Sequence, residues 1–246
     1  MRLYLINLLS VLLLFSFSTF AQNDTLVLSV GNKLIDGSVI KPYTNKWKLS
    51  IVNGEGNSKP NGIWTDHGQI IELNGVKYFH RVQDLYDANM NLTDTWMNRV
   101  ELETLKPISF QTINPKGGFS FYDFDDHKVK ISTNLNKEKK TIESEVPLEA
   151  VVFDWNLYGM LLVALPMKEN SIMKLPFYDA RTNKKQWLIA RIEKSEMLKI
   201  GRESILTWKI VTNQRLVFWI SKESPYVIKL TLNIGNNSHI LWEAIK

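Results

Sequence analysis

Apolar and polar residues alternate with a period of two along most of the 246-residue chain. That period puts successive side chains on opposite faces of a strand, so it predicts a sheet protein. The firmest segment is "QIIELNGVKYFHRVQDLY" (69–86), two alternating runs on either side of Asn74-Gly75. Both central residues of a type I′ turn need positive φ, which Asn and Gly tolerate, so the segment reads as a hairpin. Further strands are predicted at 25–30, 46–52, 93–103, 107–113, 118–124, 128–134, 140–146, 172–178 and 185–194. A C-terminal meander follows at 204–212, 215–221, 226–232 and 239–245. Thr212-Asn213-Gln214 and Lys222-Glu223-Ser224-Pro225 make its tight turns; Pro225 cannot donate to a ladder and belongs at a turn or strand start.

The hairpin at 214–232 separates into two faces. Leu216, Phe218 and Ile220 point one way, and Val217, Trp219 and Ser221 the other. In the next strand Tyr226, Ile228, Leu230 and Leu232 share a face opposite Val227, Lys229 and Thr231. The apolar face, with Phe218, Ile220, Ile228 and Leu230, is expected to look inward.

One segment breaks the alternation. "FDWNLYGMLLVALP" (153–166) is apolar around nearly its whole circumference. A helix of that kind is enclosed on more than one side. Asp154 can cap its start and Pro166 stops it, while Gly159 costs it about 1 kcal/mol relative to Ala. The expected fold is therefore mostly β: a large curved antiparallel sheet, a half-barrel or open-barrel meander, enclosing one apolar helix from Asp154 to Leu165. No linker or low-complexity stretch divides residues 22–246, which read as a single β-rich domain.

The first residues change the picture of where the protein works. Arg2, an apolar run from Leu3 to Phe17, and Thr19-Phe20-Ala21 have the pattern of a secretory signal peptide cleaved after Ala21. The run is short for a membrane span, which needs about 20 residues, and charges interrupt every later apolar run. An exported chain, periplasmic or extracellular, with association with the outer membrane as a further option, is expected to have no membrane span after cleavage. Cysteine is absent, so neither a disulfide nor an acylated lipoprotein Cys is available. About 200 residues can bury roughly 70% of the unfolded surface without such help. The formal net charge is only +5. The basic residues are scattered, apart from Lys137, Lys139 and Lys140 among Glu138, Glu143 and Glu145, which read as a solvated hairpin. A nucleic-acid partner is not expected.

In the C-terminal half, Asp154, Leu157, Leu165-Pro166, Trp219-Ile220-Ser221-Lys222 and Lys229 stand at the recurrent positions of a family of exported β-rich proteins common in Bacteroidetes. The chain resembles that family over roughly residues 150–232. The family is similar in architecture to periplasmic lipoprotein carriers of the LolA and LolB type. The resemblance implies a curved half-barrel that holds an acyl chain against helices in its concavity. It implies no activity for any named residue.

Catalytic signatures are missing: there is no G-x-S-x-G elbow, no H-E-x-x-H and no P-loop. His67, His80, His127 and His239 are far apart in the chain. Asp87, Asn89 and Asn91 have the alternate spacing of a calcium loop, but Leu92 replaces the turn glycine and Asn98 the bidentate Glu. Asp123, Asp125 and Asp126 are equally incomplete, and both groups read as hairpin turns. No catalytic, cofactor-binding or metal-binding residue is assigned.

Eight tryptophans remain, at 47, 64, 96, 155, 187, 208, 219 and 242. They either fill the core of a wide sheet or line an apolar cleft between sheet and helix. Trp64, in "GIWTDHGQ", has polar neighbours that would suit stacking on a sugar, although a strand Trp ordinarily packs inward. The candidate ligand-binding residues are Trp64, Trp155, Leu161, Phe218 and Trp219. Three functions follow in order. The first is a non-catalytic envelope protein that binds or carries a lipid or a lipoprotein acyl chain. The second is an interaction module for envelope proteins or glycans. The third is a hydrolase whose residues converge only in the fold.

Overall fold

The computed structural model describes residues 25–134 and 140–245. The expected leader at 1–21 and most of the charged run Lys137–Lys140 lie outside them. The described chain is one 16-stranded sheet with a single short α-helix. After the short β1 (Thr25–Val27), an antiparallel meander runs through β2 (Tyr43–Val52), β3 (Ser58–Leu73), β4 (Val76–Asp87) and β5 (Leu92–Glu101). It continues with β6 (Pro107–Ile113), β7 (Phe119–Phe124), β8 (Lys128–Asn134) and β9 (Ile142–Pro147). A second meander holds β11 (Ile172–Asp179), β12 (Lys184–Ile200), β13 (Glu203–Thr212), β14 (Leu216–Ile220), β15 (Val227–Gly235) and β16 (Ser238–Ile245). The two fuse at a seam where β16 pairs antiparallel with β2. β1 and the two-residue β10 (Phe153–Asp154) both add in parallel to β11.

This order dictates where the helix goes. β9 ends one side of the sheet, whereas β11 stands next to the other side. The segment 148–171 that joins them must cross the full width of a sheet face. It carries β10, a 3₁₀ turn (Trp155–Leu157) and α1 (Tyr158–Ala164). The sheet curls around this crossing without closing into a barrel. The curl brings Tyr122 of β7 and Tyr178 of β11 within 6.1 Å, centroid to centroid, although their strands are far apart in the sheet order. Leu157, Met160, Leu161, Leu162, Val163, Ala164 and Leu165 are each at most 2% exposed, as the apolar circumference requires.

Several local expectations hold in detail. Asn74 (φ 52°) and Gly75 (φ 78°) both take the left-handed conformation, and Leu73 pairs with Val76 across them. β6 and β8 occupy the residues the alternation predicts, 107–113 and 128–134.

Others differ. The helix is shorter than 154–165. Asp154 accepts the Asn156 N–H at 3.0 Å and so opens the 3₁₀ turn, and α-geometry begins only at Tyr158. The β14–β15 ladder shifts between Trp219 and Ile220, so Ile220 pairs with Val227 and Ile228 is the extra residue of a bulge. Val227 thereby joins the inner face that period-two reasoning gave to Ile228. The polar stretch "SKPNGIWTDHG" is the first half of β3, with Pro60 tolerated beside a register shift between Leu49 and Ser50.

Candidate functional site: a tryptophan-lined cavity over a buried polar web

The inner face can be read across the sheet in register rows. One row pairs Asn45, Asp66, Gln83 and Trp96 on β2 to β5; the next pairs Tyr43, Gly68, Arg81 and Asn98. Polar side chains thus stand on the face that the crossing segment covers. Asp66, Arg81, Gln83, Asn98, Asp154 and Asn156 are all at least nine-tenths buried.

Their hydrogen bonds interlock. The Arg81 Nη2 and Nε donate to Asp66 Oδ2 at 2.6 and 2.9 Å, and the Tyr43 hydroxyl donates to Asp66 Oδ1 at 3.1 Å. Arg81 Nη1 donates to the Asn156 carbonyl at 2.9 Å. Asn156 Nδ2 donates to Gln83 Oε1 and Asn98 Oδ1 at 3.1 and 2.9 Å, and Asn98 donates to the Asp154 carboxyl. The web ties β3, β4 and β5 to the residues that lead into α1.

Burial works against the Arg81 charge, but the Asp66 carboxylate outweighs it and raises the Arg81 pKa above its ordinary value. Burial, reinforced by Asp66, pushes the Tyr43 hydroxyl well above its ordinary pKa. Burial likewise lifts Asp154 to about 7 against the bonds from Asn156 and Asn98 and the charge of Arg81. Every ionisable group here is hydrogen-bonded to a neighbour within the web.

Beside the web lies a cavity of about 280 Å³. Small-molecule sites occupy roughly 300–1,000 Å³, so it is near the lower end of that range. Trp47, Trp64, Trp96, Trp155 and Trp242 line it, with Arg81, Gln83 and Asn156 on the side of the web. Apolar residues of β14 to β16, among them Leu216, Phe218 and Leu230, complete the wall. Trp64 bridges two others of the aromatic set, in edge contact with Trp96 at 5.5 Å and Trp242 at 5.6 Å. Trp47 Nε1 donates to the Val227 carbonyl at 2.9 Å, which fixes that ring. Trp242 keeps its Nε1 buried with no acceptor among the described residues.

Of the residues singled out from the sequence, Trp64, Trp155 and Phe218 meet at this cavity. Leu161 does not: it is fully buried in the core as part of α1. Trp219 also stands apart, on the outer face. There Lys229 lies 4.9 Å from its ring and Glu196 accepts its Nε1–H at 2.5 Å. Sequence reasoning missed Asp66 and Arg81 as a pair. The signal was present in the Asn74-Gly75 turn: pairing Leu73 with Val76 and counting outward sets Asp66 beside Gln83 and Gly68 beside Arg81. That places the acid and the base diagonally on one face, within reach of an Arg side chain.

Asp87 accepts the Asn89 and Asn91 N–H groups at 2.8 and 2.9 Å, and Asp125 accepts those of His127 and Lys128 at 2.7 and 2.8 Å. Both acidic loops are side-chain-closed turns. Among the described residues, no group of three or more His, Cys, Asp or Glu side chains could hold a metal ion. Among them also, no helix is long and apolar enough to cross a membrane.

Fold and site define a class: an open, strongly curved antiparallel sheet wrapped around a buried crossing helix. Within that class the chain belongs to the family described as "Protein of unknown function (DUF3108)", whose model matches residues 63–240. No curated protein and no solved structure matches the chain.

Proposed function

We propose that this protein is a non-catalytic carrier of an apolar ligand, a lipid or the acyl chain of a lipoprotein, working in the cell envelope after export. The observation that carries the reading is the convergence of five tryptophans on a cavity between sheet and helix. Rigid aromatic walls bind apolar chains with little loss of side-chain entropy. The polar web supports the reading from the other side, because it spends its charges on one another and leaves the wall apolar. The leader sequence supports export, and the likeness to carriers of the LolA and LolB type supports a chain-holding concavity.

The test is a titration of delipidated protein with N-phenyl-1-naphthylamine, an uncharged fluorophore that brightens in apolar surroundings. A saturable rise is expected, and Leu230→Trp, which fills the cavity, should reduce it while the far-UV circular dichroism stays that of the parent. A linear, unsaturable response from the parent protein would refute the carrier reading.

A further inference from the structure

The apolar cavity opens onto a second one. This vestibule, of about 320 Å³, shares Arg181, Gln214 and Leu232 with the tryptophan chamber and adds Arg215 and polar backbone-turn residues of β13–β14 and β15. Apolar and polar spaces are therefore continuous through three shared residues. We propose that the ligand is an anionic amphiphile, with its chain in the tryptophan chamber and its head group, a carboxylate or a phosphate ester, at Arg181 and Arg215. The proposal rests on the carrier reading and deepens it.

Charge is the first argument. Among the described residues lining either space there is no carboxylate, while three arginines are present, Arg81, Arg181 and Arg215. Arg81 is at the floor and is spent on Asp66 and Asn156. The other two belong to the vestibule, where Arg181 shares its charge with Asp179 and Arg215 has no ion pair among the described residues. A site whose charged lining is of one sign selects ligands of the opposite sign.

Geometry is the second. Arg181 is held, not loose: its Nε and Nη2 donate to Asp179 at 3.0 and 3.2 Å, and its guanidinium lies 4.6 Å from the Trp155 ring, a chamber wall. That fixes the cation at the junction of the two spaces, with no hydrogen bond from Nη1 among the described residues. Arg215 forms no ion pair among the described residues and sits in a braced turn. The Ile189 N–H donates to Asn213 Oδ1 at 2.9 Å, Asn213 Nδ2 donates to the Trp187 carbonyl at 2.9 Å, and the Asn233 N–H donates to the Arg215 carbonyl at 3.0 Å. Arg215 itself has φ 61°, a conformation that a Gly or Asn would hold with less strain. A positioned guanidinium at Arg181 and a second one carried on the braced Arg215 turn, beside an apolar chamber, match a molecule with one charged end and one apolar end. They also fix the direction in which it enters.

The experiment uses quenching of the chamber tryptophans by 9,10-dibromostearic acid and, in parallel, by its methyl ester, which has the same chain and no charge. A brominated lysophosphatidic acid separates a phosphate head from a carboxylate one. The parent protein should bind the acid or the phosphate about 5- to 10-fold more tightly than the ester, an advantage that shrinks at high salt. Arg215→Gln, which lies outside the chamber, should bring that ratio toward one while leaving the ester affinity unchanged; Arg181→Gln should lower the ratio too, with some loss of ester binding because Arg181 also lines the chamber against Trp155. Equal binding of charged and neutral chains, or a ratio indifferent to both variants, would overturn the anionic-head assignment and leave the carrier reading standing. Absence of quenching by all three probes would overturn both.

Discussion

Lys222 holds the end of α1. Its Nζ donates to the carbonyls of Val163 and Leu165 at 2.5 and 2.7 Å. The last carbonyls of a helix have no partner within it, and a cation there also meets the negative end of the helix dipole. Burial pulls the Lys222 pKa below its ordinary value. The Leu165-Pro166 stop and the Trp219-Ile220-Ser221-Lys222 stretch, distant in sequence, are thus two halves of one contact. Lys222→Met should leave both carbonyls without a donor and cost about 1–3 kcal/mol, read as a lower urea midpoint at unchanged slope.

Gly159 and Val227 should be coupled. A Cβ at Gly159 would sit 2.6 Å from Val227 Cγ2, so the Val227 methyl leaves no room for a side chain there unless it shifts. Helix propensity alone would favour Gly159→Ala by about 1 kcal/mol, yet overpacking should make it destabilising by about 1–3 kcal/mol. Val227→Ala in the same chain should recover part of that loss. Additive thermal-melt effects would show that the helix can shift aside.

The buried ion pair gives an asymmetric expectation. Arg81→Met strands the Asp66 carboxylate, and Asp66→Leu strands the guanidinium; each should cost about 3–5 kcal/mol. The double variant should be much less destabilised than the sum of the two, because an apolar pair leaves no charge behind. Denaturant unfolding of the four proteins completes the cycle.

Asp154 predicts the pH dependence. Its folded pKa of about 7 lies above the ordinary 3.8, so the folded chain keeps a proton that the unfolded chain has lost. Below about pH 4 both states are protonated and the group contributes no slope. Through the window up to about 7 stability should fall as pH rises, by at most about 4 kcal/mol, and level off above it. The difference in urea midpoint between the parent and Asp154→Asn, followed from pH 4 to pH 8, isolates this group from other carboxylates. A difference that does not change with pH would mean that Asp154 is ionised throughout.

Much of the sheet was legible because period-two alternation and a two-residue Asn-Gly turn are local facts, as at 69–86. The enclosed helix was legible for a similar reason: Leu157 and Met160 to Leu165 leave it no polar side to expose. Three things were not. The bulge at Ile228 is set by how β14 and β15 meet, so it put Val227 on a face that simple counting denied it. The inner placement of Asp66 and Arg81 runs against the rule that charges face water, and only their mutual bond makes it tolerable. Trp219 shows the converse error. Its size suggested a binding wall, whereas its odd position in the strand sends it outward to Lys229 and Glu196.

The seam between β2 and β16 bears on how the chain reaches this fold. Trp47 pairs with Ala244 and Leu49 with Trp242, so two neighbours in the middle of the sheet come from opposite ends of the described sequence. As the chain is made, β2 acquires β3 at once but keeps its other edge open until β16 exists. Contacts of such long sequence separation slow folding, and an open central edge is a template for pairing with another chain. The aggregation-prone edge of the half-made chain is therefore one that the finished sheet covers from Lys46 to Val52, once β16 pairs along it.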